Sequence, residues 1–193
     1  RAEGRVERIQ SPIDRPIGAA SEPAAPNYSL PLPLTPLIGR AQQLEQVRAW
    51  LASNEVRLVT ISGPGGIGKT RFALEIAAQM RAQFSDGVCF VPLAALNDSA
   101  LVPASIAQAL GVHEDGSQSI EAQLRQFVAA RQLLLVLDNF EQIMPASSLV
   151  SELLQAAPKL KILVTSREVL HIRGEYELAL PTLDLPKLHK HLD

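Results

Sequence analysis

The chain has 193 residues, of which 47% are hydrophobic and 20% are charged, and its net charge is −2. This balance is typical of a soluble globular protein, and it argues against broad electrostatic binding to nucleic acid or to a membrane. No apolar stretch approaches the roughly 20 residues that span a bilayer, and no signal peptide is visible. The single cysteine, Cys89, lies in an apolar run, which favours a buried thiol and a reducing cytoplasm.

The first 36 residues differ in composition from the rest of the chain. They hold seven of the 14 prolines and show neither helical nor strand periodicity. Such a segment is typical of an extended linker. We therefore predict a flexible Pro-rich linker over residues 1–36 that tethers a further domain upstream, although a cloning remnant or a disordered end has the same composition. Because the chain begins with Arg1 rather than Met, we expect its start to be cut from a longer protein.

From residue 37 onward, helical and strand patterns alternate. Helices are predicted over residues 41–51, over the apolar stripe that runs from Phe72 to Phe84, and over residues 103–110, 120–130 and 147–157. Strands are predicted over residues 56–61, 88–93, 133–137 and 161–165, with a weaker fifth over residues 176–180. This alternation predicts a three-layer α/β domain with a mostly parallel five-stranded sheet.

A glycine-rich turn with the sequence GPGGIGKT, residues 63–70, lies between the first strand and the helix that follows it. It matches the phosphate-loop pattern, in which glycines let backbone N–H groups and the helix N-terminus face phosphate oxygens. Lys69 would bring its charge to the β- and γ-phosphates, and the Thr70 hydroxyl would bind Mg²⁺. The predicted nucleotide-binding residues of this loop are Gly63, Gly65, Gly66, Ile67, Gly68, Lys69, Thr70 and Arg71.

Asp138 directly follows the apolar strand over residues 133–137. A strand of this kind belongs in the middle of a parallel sheet, and its end faces the edge at which open α/β sheets bind ligands. We therefore predict that Asp138 holds Mg²⁺ together with Thr70. A helix cap or a solvated aspartate at a strand end is the alternative.

Two further motifs complete the pattern: LIGR at residues 37–40 and LVTSR at residues 163–167. Together with the phosphate loop and the LLVLDNFE segment at residues 134–141, they resemble the NB-ARC-like nucleotide-binding domain of STAND-class signal-transduction ATPases. Within that class, the chain is most similar to the branch of bacterial LuxR-type and antibiotic-regulatory transcription activators. The resemblance implies a P-loop NTPase fold over residues 37–186, with residues 187–193 as a tail or truncation point.

The resemblance also implies roles for individual residues. Ile38 would lie near the adenine and Arg40 would help to seat the nucleotide, although Arg40 could instead pair with Glu45. Arg167 would contact the γ-phosphate and so distinguish ATP from ADP; on that basis Lys69, Asp138 and Arg167 are the candidate catalytic residues. The class normally continues into a winged-helix lid, so we expect the rest of the nucleotide clamp beyond this chain.

Asn139 occupies the position at which many ATPases of this broad type carry an acid that orients water, and an amide cannot accept a proton. Glu141 is either a weak substitute or a surface residue. We therefore expect a slow or inactive ATPase that acts as a signalling switch, binds ATP or ADP with Mg²⁺, and belongs to a longer regulator with sensor and output domains. Self-assembly in the ATP state is expected, but no direct contact with nucleic acid or membrane. The alternatives are a turnover AAA-type or helicase-like ATPase and a non-functional fragment.

Overall fold

The structure, a computed structural model, describes residue 28, residues 30–31, residues 37–113, residue 116 and residues 118–182. Within these parts, five α-helices and five β-strands follow one another along the chain. In order they are α1 (Ala41–Ala52), β1 (Leu58–Ser62), α2 (Lys69–Met80), β2 (Val88–Pro92), α3 (Val102–Leu110), α4 (Ile120–Val128), β3 (Leu134–Asp138), α5 (Ser147–Ala156), β4 (Lys161–Thr165) and β5 (Glu175–Ala179).

The five strands form one sheet in the order β2-β3-β4-β1-β5, and every neighbouring pair is parallel. This confirms the predicted sheet, including its weaker fifth strand, which pairs with β1 at the edge. Because all strands run in one direction, their last residues meet along a single side, which we call the carboxyl edge. The residues that follow β1, β3 and β4 are therefore neighbours in space.

Two apolar layers cover the two faces of the sheet, which makes the domain a three-layer α/β structure. Successive side chains of a strand point to opposite faces, and β3 supplies both layers in this way. Leu135 and Leu137 pack on the side of α3, α4 and α5, whereas Leu134 and Val136 pack on the side of α1 and α2. All four are fully buried, as the continuous apolar run predicted.

The helix after the glycine-rich turn is shorter than its apolar stripe. α2 ends at Met80, and a short 3₁₀ turn over Arg81–Gln83 follows it. Phe84 therefore lies beyond the helix but is still buried in the same core layer. Cys89 is buried as expected, and this burial raises the pKa of its thiol to about 12.

Two described residues of the predicted linker contact the domain. Tyr28 packs against the core layer beneath α3, α4 and α5, and Leu30 packs against the opposite layer. Most of residues 1–36 and the predicted tail over residues 187–193 lie outside the described residues. Among the described helices, none has both the length and the apolar character needed to cross a membrane.

Candidate functional site

The glycine-rich turn at the carboxyl edge depends on backbone conformations that favour glycine. Gly63, Gly66 and Gly68 have φ values of 140°, 80° and 91°, a range that side chains with a Cβ rarely adopt. At Gly63 the packing is also tight, since a Cβ there would lie 2.5 Å from Cδ1 of Ile67 and 3.1 Å from the carbonyl oxygen of Leu180. The turn thus needs glycine for its path as well as for access to the backbone.

Lys69 is the first residue of α2, and its side chain lies over the turn. Its Nζ donates to the carbonyl oxygens of Gly63 and Pro64 at 2.7 and 3.0 Å, and the residue is only 7% exposed. An ammonium group has three N–H donors, so two such bonds leave capacity for an anion in front of the turn. The positive end of the α2 dipole faces the same space.

Asp138, the last residue of β3, is 4% exposed and accepts two hydroxyl hydrogen bonds. Its Oδ2 accepts from Oγ1 of Thr70 at 3.1 Å, and its Oδ1 accepts from Oγ1 of Thr165 at 2.6 Å. The Thr165 hydroxyl in turn accepts from the backbone N–H of Asn139 at 3.0 Å. The two predicted Mg²⁺ ligands, Thr70 and Asp138, are therefore in direct contact.

These groups fit a magnesium ion. Mg²⁺ prefers oxygen ligands and commonly takes one or two from the protein while phosphates and water supply the rest. The Thr70 hydroxyl and the Asp138 carboxylate are two such ligands on neighbouring atoms. Within residues 37–113, 116 and 118–182, no group of three or more His, Cys, Asp or Glu is arranged to hold a metal without such help.

Thr165 was not among the predicted site residues. It ends β4 beside Ile61 of β1, and its side chain is completely buried between Asp138 and the backbone of Asn139. The sequence signal that could have identified Thr165 is its position in the LVTSR motif. This motif ends β4, which pairs with β1, the strand that leads into the phosphate loop. Thr165 thus fixes the carboxylate of Asp138 and the turn that follows it.

Replacing Thr165 by Val removes this hydroxyl while keeping the shape of the side chain. We expect the free energy of unfolding, measured by urea denaturation, to fall by about 1–3 kcal/mol, because two buried partners lose a hydrogen bond. The Thr165→Ser variant keeps the hydroxyl and is the matched control. If Thr165→Val were as stable as Thr165→Ser, the buried hydrogen bonds of Thr165 would not be what holds Asp138 in place.

A cavity of about 540 Å³ opens in front of the turn, a size typical of small-molecule sites. Its charged lining residues are three cations and one carboxylate, so it favours an anion. The residues that line it are Gly65, Gly66, Gly68, Lys69, Thr70, Arg71, Leu74, Asn139, Glu141 and Arg167.

A second cavity, of about 310 Å³, adjoins the first and shares Gly66, Gly68 and Arg71 with it. Ile67 contributes to its wall on the loop side. Ile38 lies on its other side and is 75% exposed, an unusual exposure for a large aliphatic side chain. Ile38, the residue predicted to lie near the adenine, is thus next to the loop residues predicted to contact phosphate.

Arg40 also lines the second cavity, and among the described residues it forms no ion pair with Glu45, the partner that the alternative interpretation suggested. It is 3% exposed, and its Nη2 donates to the carbonyl oxygen of Pro181 at 2.5 Å. Glu45 instead forms an ion pair with Arg48 at 3.1 Å. Arg40 therefore ties the segment before α1 to the chain that follows β5, since a buried guanidinium requires such a partner.

Arg167 and Glu141 meet across the first cavity. Nε of Arg167 lies 3.3 Å from Oε1 of Glu141, and a Cβ on Gly65 would lie 3.8 Å from Nη2 of Arg167. The Arg167 side chain is 67% exposed, whereas that of Glu141 is only 11% exposed. Glu141 is thus part of the cavity wall, which corrects its interpretation as a surface residue.

A third cavity, of about 390 Å³, lies at the opposite edge of the sheet and contains Arg57, Lys159 and Lys161. Arg57 donates to the carbonyl oxygens of Leu154 and Ala157, and Lys161 donates to carbonyl oxygens that follow α1. Burial, and secondarily the charge of Arg57, lowers the pKa of Lys161. Two of the three cations, Arg57 and Lys161, therefore donate hydrogen bonds to backbone carbonyl groups at or just after the ends of helices.

Comparison with known proteins identifies the family. The model of the NB-ARC domain matches residues 40–174, a range that includes the phosphate loop, Asp138 and Arg167. The chain belongs to the NB-ARC domain family. Proteins of this family generally bind ATP or ADP with Mg²⁺. The match confirms the resemblance inferred from the four motifs, and with it the P-loop NTPase fold.

The chain is similar to parts of larger regulators. A Mycobacterium tuberculosis protein named as an HTH-type transcriptional regulator is 44% identical over 140 residues, which cover 72% of this chain and 15% of that protein. The regulatory protein AfsR of Streptomyces griseus is 30% identical over 179 residues, 84% of this chain and 18% of AfsR. The chain thus spans less than a fifth of either relative.

A solved structure shares the fold. It is a STAND protein with a tetratricopeptide repeat sensor from Pyrococcus horikoshii, with a TM-score of 0.50 and 20% sequence identity. The similarity covers 77% of this chain and 24% of that one.

Proposed function

We propose that this NB-ARC domain binds ATP and ADP with Mg²⁺ and acts as a slow nucleotide switch. The observation that supports this most is the contact between Thr70 and Asp138 beside the Lys69 turn. It unites an oxygen pair suited to Mg²⁺ and a cradle suited to phosphate in one cavity. Neither feature alone would distinguish a nucleotide site from a site for a simple anion.

In this proposal, each residue has a separate task. The backbone N–H groups of the turn and the N-terminus of α2 receive the phosphate oxygens, and Lys69 adds a mobile positive charge. Thr70 and Asp138 would hold Mg²⁺, which neutralises phosphate charge when bound. Arg167 would reach the terminal phosphate, since a guanidinium suits phosphate oxygens. Ile38, Ile67 and Arg40 would form the base side of the site.

Slow or absent hydrolysis follows from the residues after Asp138. Asn139 lines the cavity at the position of a water-orienting acid, but its amide cannot accept a proton. Glu141 is the next carboxylate along the chain after Asp138, and it forms an ion pair with Arg167. ATP would therefore stay bound without hydrolysis, and the ATP-bound form would last long enough to act as a signalling state. This behaviour suits a switch better than a motor.

We further propose that the domain belongs to a bacterial transcriptional regulator with separate sensor and output domains. The size and names of the regulators it resembles support this. The ATP state would then favour self-assembly, and the ADP state a closed form. The net charge of −2 gives no support for direct binding of this segment to nucleic acid. A reducing cytoplasm suits the buried, unpaired Cys89.

The steady-state ATPase rate of the 193-residue chain tests the switch. We expect a rate far below about 1 s⁻¹, the lower end of the usual range for enzymes. A rate above that value would instead favour the turnover ATPase, with Glu141 as the substitute base. A thermal-shift assay with Mg-ADP provides the second readout, because a ligand at 100 times its Kd stabilises a protein by about 2.7 kcal/mol. No shift would favour the non-functional fragment.

A further inference from the structure

The ion pair between Glu141 and Arg167 has a consequence for nucleotide selection. We propose that Glu141 competes with the γ-phosphate for Arg167 and thereby lowers the affinity of the site for ATP relative to ADP. In the structure, Arg167 is paired with a carboxylate of its own chain. ATP must displace that carboxylate, whereas ADP, which lacks the third phosphate, does not. This inference rests on the proposed nucleotide site.

Glu141 is held firmly in the cavity wall. It lies in the 3₁₀ turn Phe140–Gln142 directly after β3, and the neighbouring Phe140 is completely buried. Its own side chain is 11% exposed. The turn therefore places the carboxylate at the cavity, and Arg167, which is 67% exposed, is the more solvent-accessible partner.

The carboxylate of Glu141 is incompletely satisfied. Its Oε1 faces Arg167, but its buried Oε2 has no hydrogen-bond partner among the described residues. A buried charge is costly unless it is paired, so Glu141 depends strongly on this one cation. The same carboxylate lines the cavity with Lys69 and Thr70, so the anion that pairs with Arg167 lies in the same cavity as the groups proposed to bind phosphate.

Arg167 is placed so that its guanidinium can pair either with the Glu141 carboxylate or with a terminal phosphate. While Nε faces Glu141, Nη2 lies near Gly65 in the phosphate turn. A terminal phosphate in front of the turn would compete for the guanidinium, and the outcome depends on the balance of the two attractions. Removing the negative charge of Glu141 should therefore favour ATP specifically.

The Glu141→Gln variant of the full 193-residue chain tests this by calorimetric titration with Mg²⁺ and either ADP or a non-hydrolysable ATP analogue. We expect the Kd for the analogue to fall about three- to tenfold, since an ion pair with one solvent-exposed partner contributes a modest amount. The Kd for ADP should change less than about twofold. Glu55→Gln, an exposed residue before β1, removes the same charge far from the cavity and should change neither value.

A second variant, Arg167→Ala, separates competition from simple charge repulsion. If Glu141 acts through Arg167, adding Glu141→Gln to Arg167→Ala should give a gain for the ATP analogue of less than about twofold. Melting temperatures without nucleotide verify that each variant folds, and Glu141→Ala replaces Glu141→Gln if that variant does not.

Every other outcome overturns the proposal. Weaker binding of the ATP analogue to Glu141→Gln would make Glu141 a residue that positions Arg167 for the phosphate. Equal tightening of both nucleotides would indicate a general charge effect, and unchanged affinities would leave the ion pair without a role in selection. If the parent chain binds neither nucleotide, the proposed function itself fails, and the competition fails with it.

Discussion

The Lys69→Ala variant is expected to bind ADP and ATP roughly 100-fold more weakly than the parent chain, because charged hydrogen bonds of about 1.5–3 kcal/mol each are lost. Lys69 is a buried cation within the phosphate turn, and it donates hydrogen bonds to the carbonyl oxygens of Gly63 and Pro64. Its removal therefore takes away the charge that meets the phosphates and loosens the cradle. Calorimetric titration with Mg-ADP measures the effect.

Lys159→Ala is the matched control for this variant. Lys159 is exposed and lies at the opposite edge of the sheet, so its loss removes the same charge without touching the turn. We expect its affinity for ADP to match that of the parent. Parental affinity in Lys69→Ala, with a normal melting temperature, would show that the turn over residues 63–70 does not bind the phosphates.

The Phe140→Ala variant is expected to lower the free energy of unfolding by about 3–5 kcal/mol, the usual cost of emptying a buried aromatic site. Phe140 is completely buried and is among the largest such side chains in the described residues. It packs in the core layer of α3, α4 and α5 although it belongs to the turn after β3. Urea denaturation, followed by circular dichroism, measures the change.

Phe127→Ala provides the comparison for Phe140→Ala. Phe127 is half-buried on α4 and contacts the guanidinium of Arg131 at 3.6 Å from its ring centre, so its loss should cost about 1–2 kcal/mol. Because Phe140 anchors the turn that directly follows Asp138, a proposed Mg²⁺ ligand, we also expect Phe140→Ala to weaken binding of Mg-ADP. A Phe140→Ala variant that is no less stable than Phe127→Ala would contradict the anchoring role.

The sheet and its helices were predictable because their signals are local. The apolar runs of β1 to β4 match the length and composition of buried strands, and Gly111, which has a φ of 70°, ends α3 where glycine commonly ends a helix. The phosphate turn was predictable for the same reason, since its glycines, Lys69 and Thr70 are contiguous. β5 gave a weaker signal, because an edge strand with Glu175 and Glu177 lacks a continuous apolar run.

The polar contacts that complete the site were not predictable, because they join residues that are far apart in the sequence. Arg40 meets the carbonyl oxygen of Pro181 across 141 positions, and Thr165 meets Asp138 across 27. Such contacts depend on strand order and on side-chain conformation, neither of which the local pattern determines. The pairing of Glu141 with Arg167 belongs to the same class, since the turn after β3 first has to aim the carboxylate inward.

A crystal structure of the chain grown with Mg-ADP tests the central claim most directly. The proposed site predicts that the two phosphates lie along the backbone N–H groups of residues 65–70, with Mg²⁺ next to Oγ1 of Thr70 and the Asp138 carboxylate. The adenine should lie on the side of Ile38 and Ile67. Phosphates bound instead in the cavity of Arg57 and Lys161 at the opposite edge, or an empty phosphate turn at saturating Mg-ADP, would contradict it.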